Sequence, residues 1–257
     1  MTEQFVIATH ENAISRLTLN RPNSFNALSE GMLDALQHEL DNLPSNSRVV
    51  IIAATGKAFC AGHDLKQMRQ HSEQSYFDEL FQRCSRLMTT LLTIRQPVIA
   101  EVQGLATAAG CQLVATCDLA VADRDATFAV SGINVGLFCS TPSVALSRNV
   151  NRKRAMQLLM TGDFIDADTA VDWGLINSAV EATELSASVT ELASRIKAKS
   201  EVAVTTGKQL FYQQLECGVT DAYELAGHAM ACNMMADDVT EGIDAFVEKR
   251  APQWLNR

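Results

Sequence analysis

Two short segments of this 257-residue chain contain residue types that could stabilise an oxygen anion through backbone amides. Each runs from an apolar strand through small residues into a predicted helix, the first over residues 51–65 and the second over residues 98–111. Small residues let a ligand approach the main chain, and the first turn of a helix carries unpaired N–H groups and the positive dipole end. Two such turns brought together would form an oxyanion hole. The same residues also permit tight helix–strand packing, and the pattern alone favours that simpler interpretation.

The elements that would position these turns alternate between strand and helix up to about residue 135 and are almost all helical thereafter. Predicted strands are residues 14–20, 48–54, 97–103, 118–122 and 127–130. Predicted helices include residues 74–94, 106–116, 152–161, 167–173, 184–199, 202–214, 222–236 and 239–249. No low-complexity linker separates the two parts. We therefore predict one α/β folding unit, with a core over residues 1–195 and a helical C-terminal portion over residues 196–257.

The composition excludes several classes of protein. Hydrophobic residues make up 47% of the chain and charged residues 20%, which is enough apolar material to offset the entropy of ordering. With 21 Lys and Arg against 30 Asp and Glu the net charge is −9, so no nucleic-acid partner is expected. The longest apolar run, residues 49–54, is far too short for a membrane span. Residues 1–14 show no secretory signal pattern, and a cytoplasmic protein is predicted.

The cysteines and histidines give no sign of a metal site. There are seven Cys and five His, no two cysteines form a C-x-x-C pair, and the histidines lack metal-ligand spacing. The cysteines are therefore expected to be reduced and mostly buried, and neither a structural disulfide nor a bound metal is predicted.

Several short motifs occur in a recognisable order. The chain contains Arg21-Pro22 followed by Asn26-Ala27-Leu28, then Ala58-Phe59-Cys60-Ala61-Gly62-His63-Asp64-Leu65, then Gln103-Gly104 and Ala109-Gly110-Cys111. Together these motifs resemble the enoyl-CoA hydratase/isomerase (crotonase) superfamily, and the resemblance covers essentially the whole chain. Residues 134–142 are also similar to the branch called enoyl-CoA hydratase domain-containing protein 3.

The resemblance implies a fold and a ligand. The fold would be a crotonase-like spiral of β-β-α repeats, whose helical C-terminal portion forms a homotrimer or a dimer of trimers. The ligand would be a coenzyme A thioester, with no permanently bound cofactor. Its thioester oxygen would lie between the backbone amides of His63 and Ala109, where negative charge on that oxygen turns the acyl group into an enolate. The residues implied to contact coenzyme A are Phe25, Ala27, Ala61, Asp64, Leu65, Lys66 and Lys249.

The resemblance also identifies what this chain lacks. Hydratases of the family use two glutamates to handle the water and the proton. The corresponding positions are Gln112 and Gly132 in this sequence. Gln112 can hold a water molecule but cannot titrate, and Gly132 offers no side chain. Efficient hydratase activity is therefore not expected.

Three other residues could handle a proton. His63 lies inside the first turn with a suitable pKa range, and a similar A-G-H-D motif occurs in the methylmalonyl-CoA decarboxylase branch. Alternatively, only its backbone matters and its ring packs nearby. Cys139 and Ser140 precede the predicted helix start at residues 141–142, where a cysteine could be partly ionised. The alternative for this pair is a packed thiol and a helix cap.

Four functions remain open from the sequence. The first is an acyl-CoA lyase or isomerase that uses the oxyanion hole without the two glutamates. The second is a non-catalytic acyl-CoA-binding or assembly protein. The third is an enzyme similar to methylmalonyl-CoA decarboxylase. The fourth is an ordinary hydratase in which Gln112 positions the water and another residue supplies the proton. All four take an acyl-CoA as partner and predict neither a nucleic-acid nor a membrane partner.

Overall fold

Ten strands in two sheets lie at the centre of residues 4–256, the part of the chain that the computed structural model describes. Residues 1–3 and 257, which belong to the predicted core and C-terminal ranges, lie outside the described residues. The larger sheet has the order β1-β2-β3-β5-β7-β10. Its strands are β1 (Val6–Glu11), β2 (Ile14–Leu19), β3 (Val49–Ala54), β5 (Val98–Val102), β7 (Leu119–Asp123) and β10 (Ser178–Val180). The smaller sheet comprises β4 (Ala58–Cys60), β6 (Leu105–Thr107), β8 (Thr127–Ala129) and β9 (Ile165–Asp166).

The chain adds one strand to each sheet and then a helix, three times in succession. Strands β3, β5 and β7 pair in parallel in the larger sheet, and β4, β6 and β8 pair in parallel in the smaller one. Parallel strands need long crossover connections, and helices provide them. The helices of the three repeats are α2 (Leu65–Met68) and α3 (Gln74–Thr93), α4 (Ala109–Thr116), and α5 (Ser140–Asn149). The predicted α/β spiral of β-β-α repeats is confirmed.

One boundary between strand and helix differs from the prediction. Residues 106–116 were expected to be helical throughout, but Ala106 and Thr107 belong to β6 and pair with Phe128 and Ala129 of β8. The helix begins only at Ala109. Small apolar residues fit both structures, so local sequence could not distinguish them, whereas pairing with β8 is a tertiary effect.

Helices cover both faces of the larger sheet. On one face, α1 (Glu30–Asp41) places Leu33, Leu36 and Leu40 in the same buried cluster as leucines of α3. On the other face, α8 (Leu185–Lys197) buries Leu185, Val189 and Ala193 against β3, β5 and β7. This explains why β3 is apolar at successive positions, because a strand covered on both sides has no solvent face. Full burial of each such side chain stabilises the fold by about 1.5–3 kcal/mol.

The C-terminal portion begins after α8. The predicted division after residue 195 falls inside this helix, which packs on the core, so the helix ends place the division between residues 197 and 201. The helices after this division are α9 (Glu201–Leu215), α10 (Val219–Asn233) and α11 (Asp237–Glu248). Two further helices, α6 (Arg152–Thr161) and α7 (Ala167–Asp172), precede α8. None of the helices formed by the described residues combines the length and apolar character that a bilayer span needs.

A buried ion pair attaches α9 to the core. Lys208 is 8% exposed, and its Nζ donates to the carbonyl oxygens of Leu91 and Gln96 and to Oδ2 of Asp118, over 2.7–2.8 Å. The Tyr212 hydroxyl donates to the other carboxylate oxygen of Asp118 at 2.7 Å. Burial lowers the pKa of Lys208, and the Asp118 charge opposes that shift. Asp118 is therefore a structural carboxylate that joins β7 to the C-terminal helices.

Candidate functional site

A cavity of about 170 Å³ lies where the two small-residue turns meet the start of α5. Its lining residues are Ala61, His63, Leu65, Met68, Phe81, Ala108, Ala109, Ser131, Gly132, Val135, Leu137, Phe138, Cys139, Ser140, Thr141 and Pro142. His63 of the first turn and Ala109 of the second line the same cavity. The structure thus brings together the two residues whose amides the sequence had suggested as a pair.

The two turns touch each other at Gly62. This residue has φ +88°, and a Cβ built on it would lie 2.9 Å from the Cβ of Ala108 and 3.2 Å from the backbone nitrogen of Ala109. A side chain would be strained by the backbone conformation and crowded by the second turn. Glycine is therefore required for the close approach of the first turn to the Ala109 amide.

The backbone N–H of His63 points away from the adjacent segment that contains Leu28. The carbonyl oxygen of Gly62 accepts a hydrogen bond from the N–H of Leu28 at 2.8 Å. In a trans peptide the C=O and the following N–H point in opposite directions, so the His63 N–H faces away from Leu28. Among residues 4–256 this N–H has no hydrogen-bond acceptor. It is therefore a free donor on a residue that lines the cavity.

The backbone N–H of Ala109 is also a free donor. Ala108 has φ 50° and ψ −119°, a conformation that costs a non-glycine residue on the order of 1–3 kcal/mol. Its carbonyl oxygen accepts from the N–H of Gln112 at 3.0 Å and so points along α4, which leaves the Ala109 N–H pointing out of the helix start. No acceptor for it is present in the described part of the chain. The helix dipole adds positive potential at this end of α4.

Asn26 holds the first turn in place, a role that the sequence prediction missed. Its side chain is fully buried, accepts from the backbone N–H of Arg21 at 2.7 Å and donates to the carbonyl oxygens of Thr55 and Ala58, each at 2.8 Å. A backbone hydrogen bond between the same two segments, from the N–H of Ala61 to the carbonyl oxygen of Phe25, is 3.0 Å long. Asn26 has φ 53°, a left-handed conformation that asparagine tolerates. No local spacing indicated its role, because Thr55 and Ala58 lie 29 and 32 residues further along the chain.

The residues suggested for coenzyme A are only partly gathered around the cavity. Ala61 and Leu65 line it, and Leu65 is 56% exposed. Phe25 is 53% exposed on the adjacent segment, whereas Ala27 is buried. Lys66 is exposed in the first turn of α2. Their contact with coenzyme A stays a prediction.

Two of the charged residues suggested for coenzyme A, Asp64 and Lys249, lie at helix ends. Asp64 caps α2, where its carboxylate accepts from the N–H groups of Lys66 and Gln67 at 3.0 and 3.2 Å. Lys249 ends α11 in the left-handed conformation, φ 55°, and is not among the residues that line the cavity. Arg250, beside it, forms short hydrogen bonds with both carboxylate oxygens of Glu241 at 2.6 and 2.8 Å.

The His63 side chain is held as a neutral imidazole. Its Nδ1–H donates to the carbonyl oxygen of Leu28 at 3.3 Å, so Nε2 carries the lone pair, and Nε2 is buried without a partner. The ring meets Phe81 edge-on, with 5.5 Å between the ring centroids. Burial lowers the pKa of His63 below its ordinary value of about 6.5, despite the opposing Leu28 contact. The imidazole can therefore accept a proton at neutral pH.

No carboxylate takes the place of the two glutamates. Gln112 is 5% exposed, its Oε1 has no partner, and it is not among the lining residues. Gly132 does line the cavity, but a Cβ there would lie 2.6 Å from the carbonyl oxygen of Leu137 and 2.7 Å from Sγ of Cys139. Within the described residues, the cavity wall contains neither Asp nor Glu.

Cys139 is a buried thiol, as in its alternative interpretation, but no described side chain caps the start of α5. Cys139 is 6% exposed, and burial raises the pKa of its thiol even though the Gly132 backbone offers it a hydrogen bond. Burial outweighs that hydrogen bond and so disfavours the thiolate, while a catalytic role of Cys139 stays a prediction. Ser140 begins α5, and its hydroxyl donates to the carbonyl oxygen of Phe138 at 3.3 Å.

The packing at residue 132 predicts that restoring both glutamates will not give an efficient hydratase. In Gln112→Glu/Gly132→Glu, we expect hydration of a 2-enoyl-CoA to stay far below that of relatives with both glutamates. We also expect a loss of stability of about 1–3 kcal/mol from overpacking against the Leu137 carbonyl. Denaturant unfolding and a hydration assay measure the two effects.

Gln112→Glu alone is the matched control, because it changes a carboxamide to a carboxylate without adding volume. A double variant that hydrates as fast as those relatives, with unchanged stability, would contradict the prediction.

The chain matches the family model described as Enoyl-CoA hydratase/isomerase over residues 9–257. It is 45% identical over 254 residues to the Xenopus laevis protein named Enoyl-CoA hydratase domain-containing protein 3, mitochondrial, covering 97% of this chain and 86% of that protein. The human protein of the same name is 45% identical over 245 residues, covering 95% and 81%. The resemblance stated from the motifs is confirmed.

Solved structures agree with the observed fold. The crystal structure of an enoyl-CoA hydratase from Mycobacterium smegmatis is 53% identical, with a TM-score of 0.96, and covers 98% of this chain and 99% of that chain. The crystal structure of human enoyl Coenzyme A hydratase domain-containing protein 3 is 43% identical, with a TM-score of 0.93, and covers 97% and 100%.

The predicted cytoplasmic localisation is contradicted by these relatives, because the frog and human proteins are named as mitochondrial. The sequence argument was too weak for a physical reason. The pattern of residues 1–14 bears only on secretion, and reduced cysteines fit any reducing compartment. Neither observation distinguishes the cytoplasm from the mitochondrial interior.

Proposed function

This chain belongs to the enoyl-CoA hydratase/isomerase family, and we propose that it binds an acyl-CoA thioester with the thioester oxygen between the amides of His63 and Ala109. One observation carries the proposal: two unpaired N–H groups on adjacent turns belong to residues that line one largely apolar cavity. Preorganised amide donors of this kind stabilise a developing oxyanion without any reorganisation during the reaction. The cavity would then take the acyl chain, and the exposed surface around Phe25, Leu65 and Lys66 would take coenzyme A.

The proposed chemistry is proton transfer at the carbon next to the thioester. The amides stabilise the enolate, and His63 Nε2 supplies the lone pair that removes the proton. With a 3-enoyl thioester, the proton leaves the α carbon and the electron pair moves onto the thioester oxygen as a dienolate. His63 then returns the proton to the γ carbon, which gives the 2-enoyl thioester. One base that takes and returns a proton suffices for this isomerisation, whereas family hydratases use two carboxylates.

The test follows α-proton exchange and double-bond migration. We expect NMR in D₂O to show exchange at the α carbon of a saturated acyl-CoA and conversion of a 3-enoyl-CoA to the 2-enoyl isomer. Hydration of a 2-enoyl-CoA should remain far below that of family members with both glutamates. A chain that binds none of these thioesters would refute the proposal.

A second candidate, a non-catalytic acyl-CoA binder, is favoured by one observation. The described cavity wall contains neither Asp nor Glu, so proton transfer depends on His63 alone. The same NMR experiment separates the two candidates. Thioester binding without exchange or isomerisation of any thioester would establish the binder and remove the enzymatic proposal.

The direction of the His63 pKa shift predicts the pH dependence of exchange. The base must be neutral to act, and burial holds the pKa of His63 below about 6.5. The rate should therefore be constant above neutral pH and fall as the pH drops through that lowered pKa. Exchange rates measured between about pH 4 and 8 report the profile.

The control for this pH prediction is His63→Gln, which keeps the backbone amide and a hydrogen-bonding side chain. We expect it to lower exchange by about 10²–10⁴-fold and to remove the acid limb, with acyl-CoA affinity little changed. A variant with the wild-type rate and profile would exclude the imidazole from the reaction.

The assembly proposed for this chain is a homotrimer or a dimer of trimers. No residue of α10 is buried, and one stripe of this helix is apolar and exposed: Val219, Tyr223, Met230 and Met234. Met235, after α10, and Phe246 of α11 are also apolar and exposed, at 83% and 85%. An exposed apolar surface of this kind indicates a protein–protein contact.

Charged residues in the stripe should prevent this assembly. For Tyr223→Glu/Met230→Glu, we expect light scattering after size exclusion to give the 28.0 kDa monomer, because two carboxylates cannot be buried unpaired. Glu224→Ala, on the same helix, should leave the mass of the assembly unchanged. A wild-type protein that is already monomeric at micromolar concentration would contradict the proposal.

A further inference from the structure

One hydroxyl on the cavity wall is oriented by a less accessible neighbour. Ser131 lines the cavity, and its Oγ lies 2.8 Å from Oγ1 of Thr107. Thr107 is 8% exposed and does not line the cavity. Within residues 4–256 its hydroxyl contacts no other hydrogen-bond partner.

The number of hydroxyl protons decides which of Thr107 and Ser131 donates the hydrogen bond between them. Each hydroxyl has one proton, and only one of the two protons can lie between the oxygens. If Ser131 donated, the proton of the buried Thr107 would have no acceptor, and an unmade buried hydrogen bond is costly. Thr107 therefore donates to Ser131, and the Ser131 proton is left to face the cavity.

The pair lies beside the turn that exposes the Ala109 amide. Strands β6 and β8 pair with Thr107 opposite Ala129, and the N–H of Ala108 donates to the carbonyl of Ala129 at 3.0 Å. Ser131 follows two residues later on the β8 side, and Ala109 follows Thr107 on the β6 side. The hydroxyl donor and the amide donor are therefore neighbours on one wall.

Among the described residues, Ser140 and Thr141 also place hydroxyl groups on the wall, but neither has a buried hydroxyl partner that orients it as Thr107 orients Ser131. The Ser140 hydroxyl donates to the carbonyl of Phe138, and the thiol of Cys139 is a weak donor. Leu65, Met68 and Phe81 are apolar. A ligand oxygen close to the thioester would thus find Ser131 as the hydroxyl set to receive it.

We propose that Ser131, oriented by Thr107, is a specificity-determining residue that donates a hydrogen bond to an oxygen on the β carbon of the bound acyl group. A 3-oxo or 3-hydroxy group satisfies this donor, whereas a methylene group leaves it unpaired. The inference rests on the proposed function, because it takes an acyl-CoA as the ligand of the cavity.

The test compares the dissociation constants of 3-oxobutyryl-CoA and butyryl-CoA by titration calorimetry. We expect the wild-type protein to prefer the 3-oxo thioester by about tenfold, the upper range for one neutral hydrogen bond. Ser131→Ala should reduce this preference to about one. Thr107→Val, which keeps the shape but loses the orienting donor, should give an intermediate preference of about threefold. Ser131→Thr should retain most of it.

The control is Ser143→Ala, which removes an exposed hydroxyl of α5 that bonds the Ser140 carbonyl and does not line the cavity. Its preference should equal that of the wild-type protein. Equal loss of affinity for both thioesters in Ser131→Ala would show a merely structural role and overturn the inference. Equal affinities in the wild-type protein would also overturn it, while leaving the proposed function intact. If neither thioester binds, the proposed function itself fails.

Discussion

Replacing Gly62 by alanine is expected to lower α-proton exchange of an acyl-CoA by about 10²–10³-fold, the cost of losing one oxyanion donor. The added methyl group would lie 2.9 Å from the Cβ of Ala108 and 3.2 Å from the Ala109 nitrogen, at a φ of +88°. Relief of this contact must separate the two turns or rotate the peptide that carries the His63 N–H. Either movement removes an amide from the proposed oxyanion position.

The control for Gly62→Ala is Gly174→Ala. Gly174 also has a positive φ, +79°, but a Cβ there would meet only the Asn149 carbonyl at an ordinary 3.5 Å. It should lose about 1 kcal/mol of stability from the backbone conformation and keep its exchange rate. Free coenzyme A, which has no thioester oxygen, should bind Gly62→Ala with nearly wild-type affinity. A folded Gly62→Ala protein with wild-type exchange would contradict the role of the paired amides.

The largest expected effect on stability is that of Lys208→Met, a loss of about 3–5 kcal/mol in the free energy of unfolding. The substitution keeps the length of the side chain but removes the ammonium group from Asp118 and from two buried carbonyl oxygens. Asp118 would retain the Tyr212 hydroxyl and the Val98 N–H, which do not neutralise its charge. Urea unfolding followed by circular dichroism measures the change.

The second arm of that experiment is the double variant Asp118→Asn/Lys208→Met. Because it removes both charges, we expect it to be more stable than Lys208→Met, which leaves one buried charge alone. Arg124→Met, in an exposed pair with Asp168 and Glu181, should change stability little. A Lys208→Met protein as stable as the wild type would contradict the proposed attachment of α9.

The local pattern was sufficient for the long elements of the fold. Strand β3 lies within one residue of its predicted bounds because a continuous apolar run is buried on both faces. Helix α6 spans residues 152–161 as predicted, since Asn151 caps its start and Gly162 ends it. Such signals lie within a few residues of the element that they define.

The smaller sheet was not predictable in the same way. Its strands contain two or three residues each, and β4, β6 and β9 were not recognised as strands. A strand of three residues has too short a pattern for alternation, and its structure comes from pairing with chain segments more than twenty residues away. This sheet nevertheless positions the candidate site, since the turns that contain His63 and Ala109 follow β4 and β6.

The sequence indicated the backbone turns of the candidate site but not the side-chain contacts around them. Motif resemblance identified the turns at His63 and Ala109, which depend on local small residues. The roles of Asn26, Ser131 and Thr107 depend on contacts between segments distant in sequence, so no local spacing indicated them. The burial that raises the pKa of the Cys139 thiol is likewise a property of the folded chain.

The opposed directions of the Gly62 carbonyl and the His63 N–H have a consequence for mutagenesis. The first peptide unit accepts from the Leu28 N–H through its oxygen and leaves its nitrogen free, and the unit between Ala108 and Ala109 accepts from the Gln112 N–H of α4 and also leaves its nitrogen free. Alanine scanning leaves both units chemically intact, because it removes only the imidazole at position 63 and changes nothing at Ala109. Replacement of a single amide by an ester, through chemical synthesis or an expanded genetic code, would delete the donor itself.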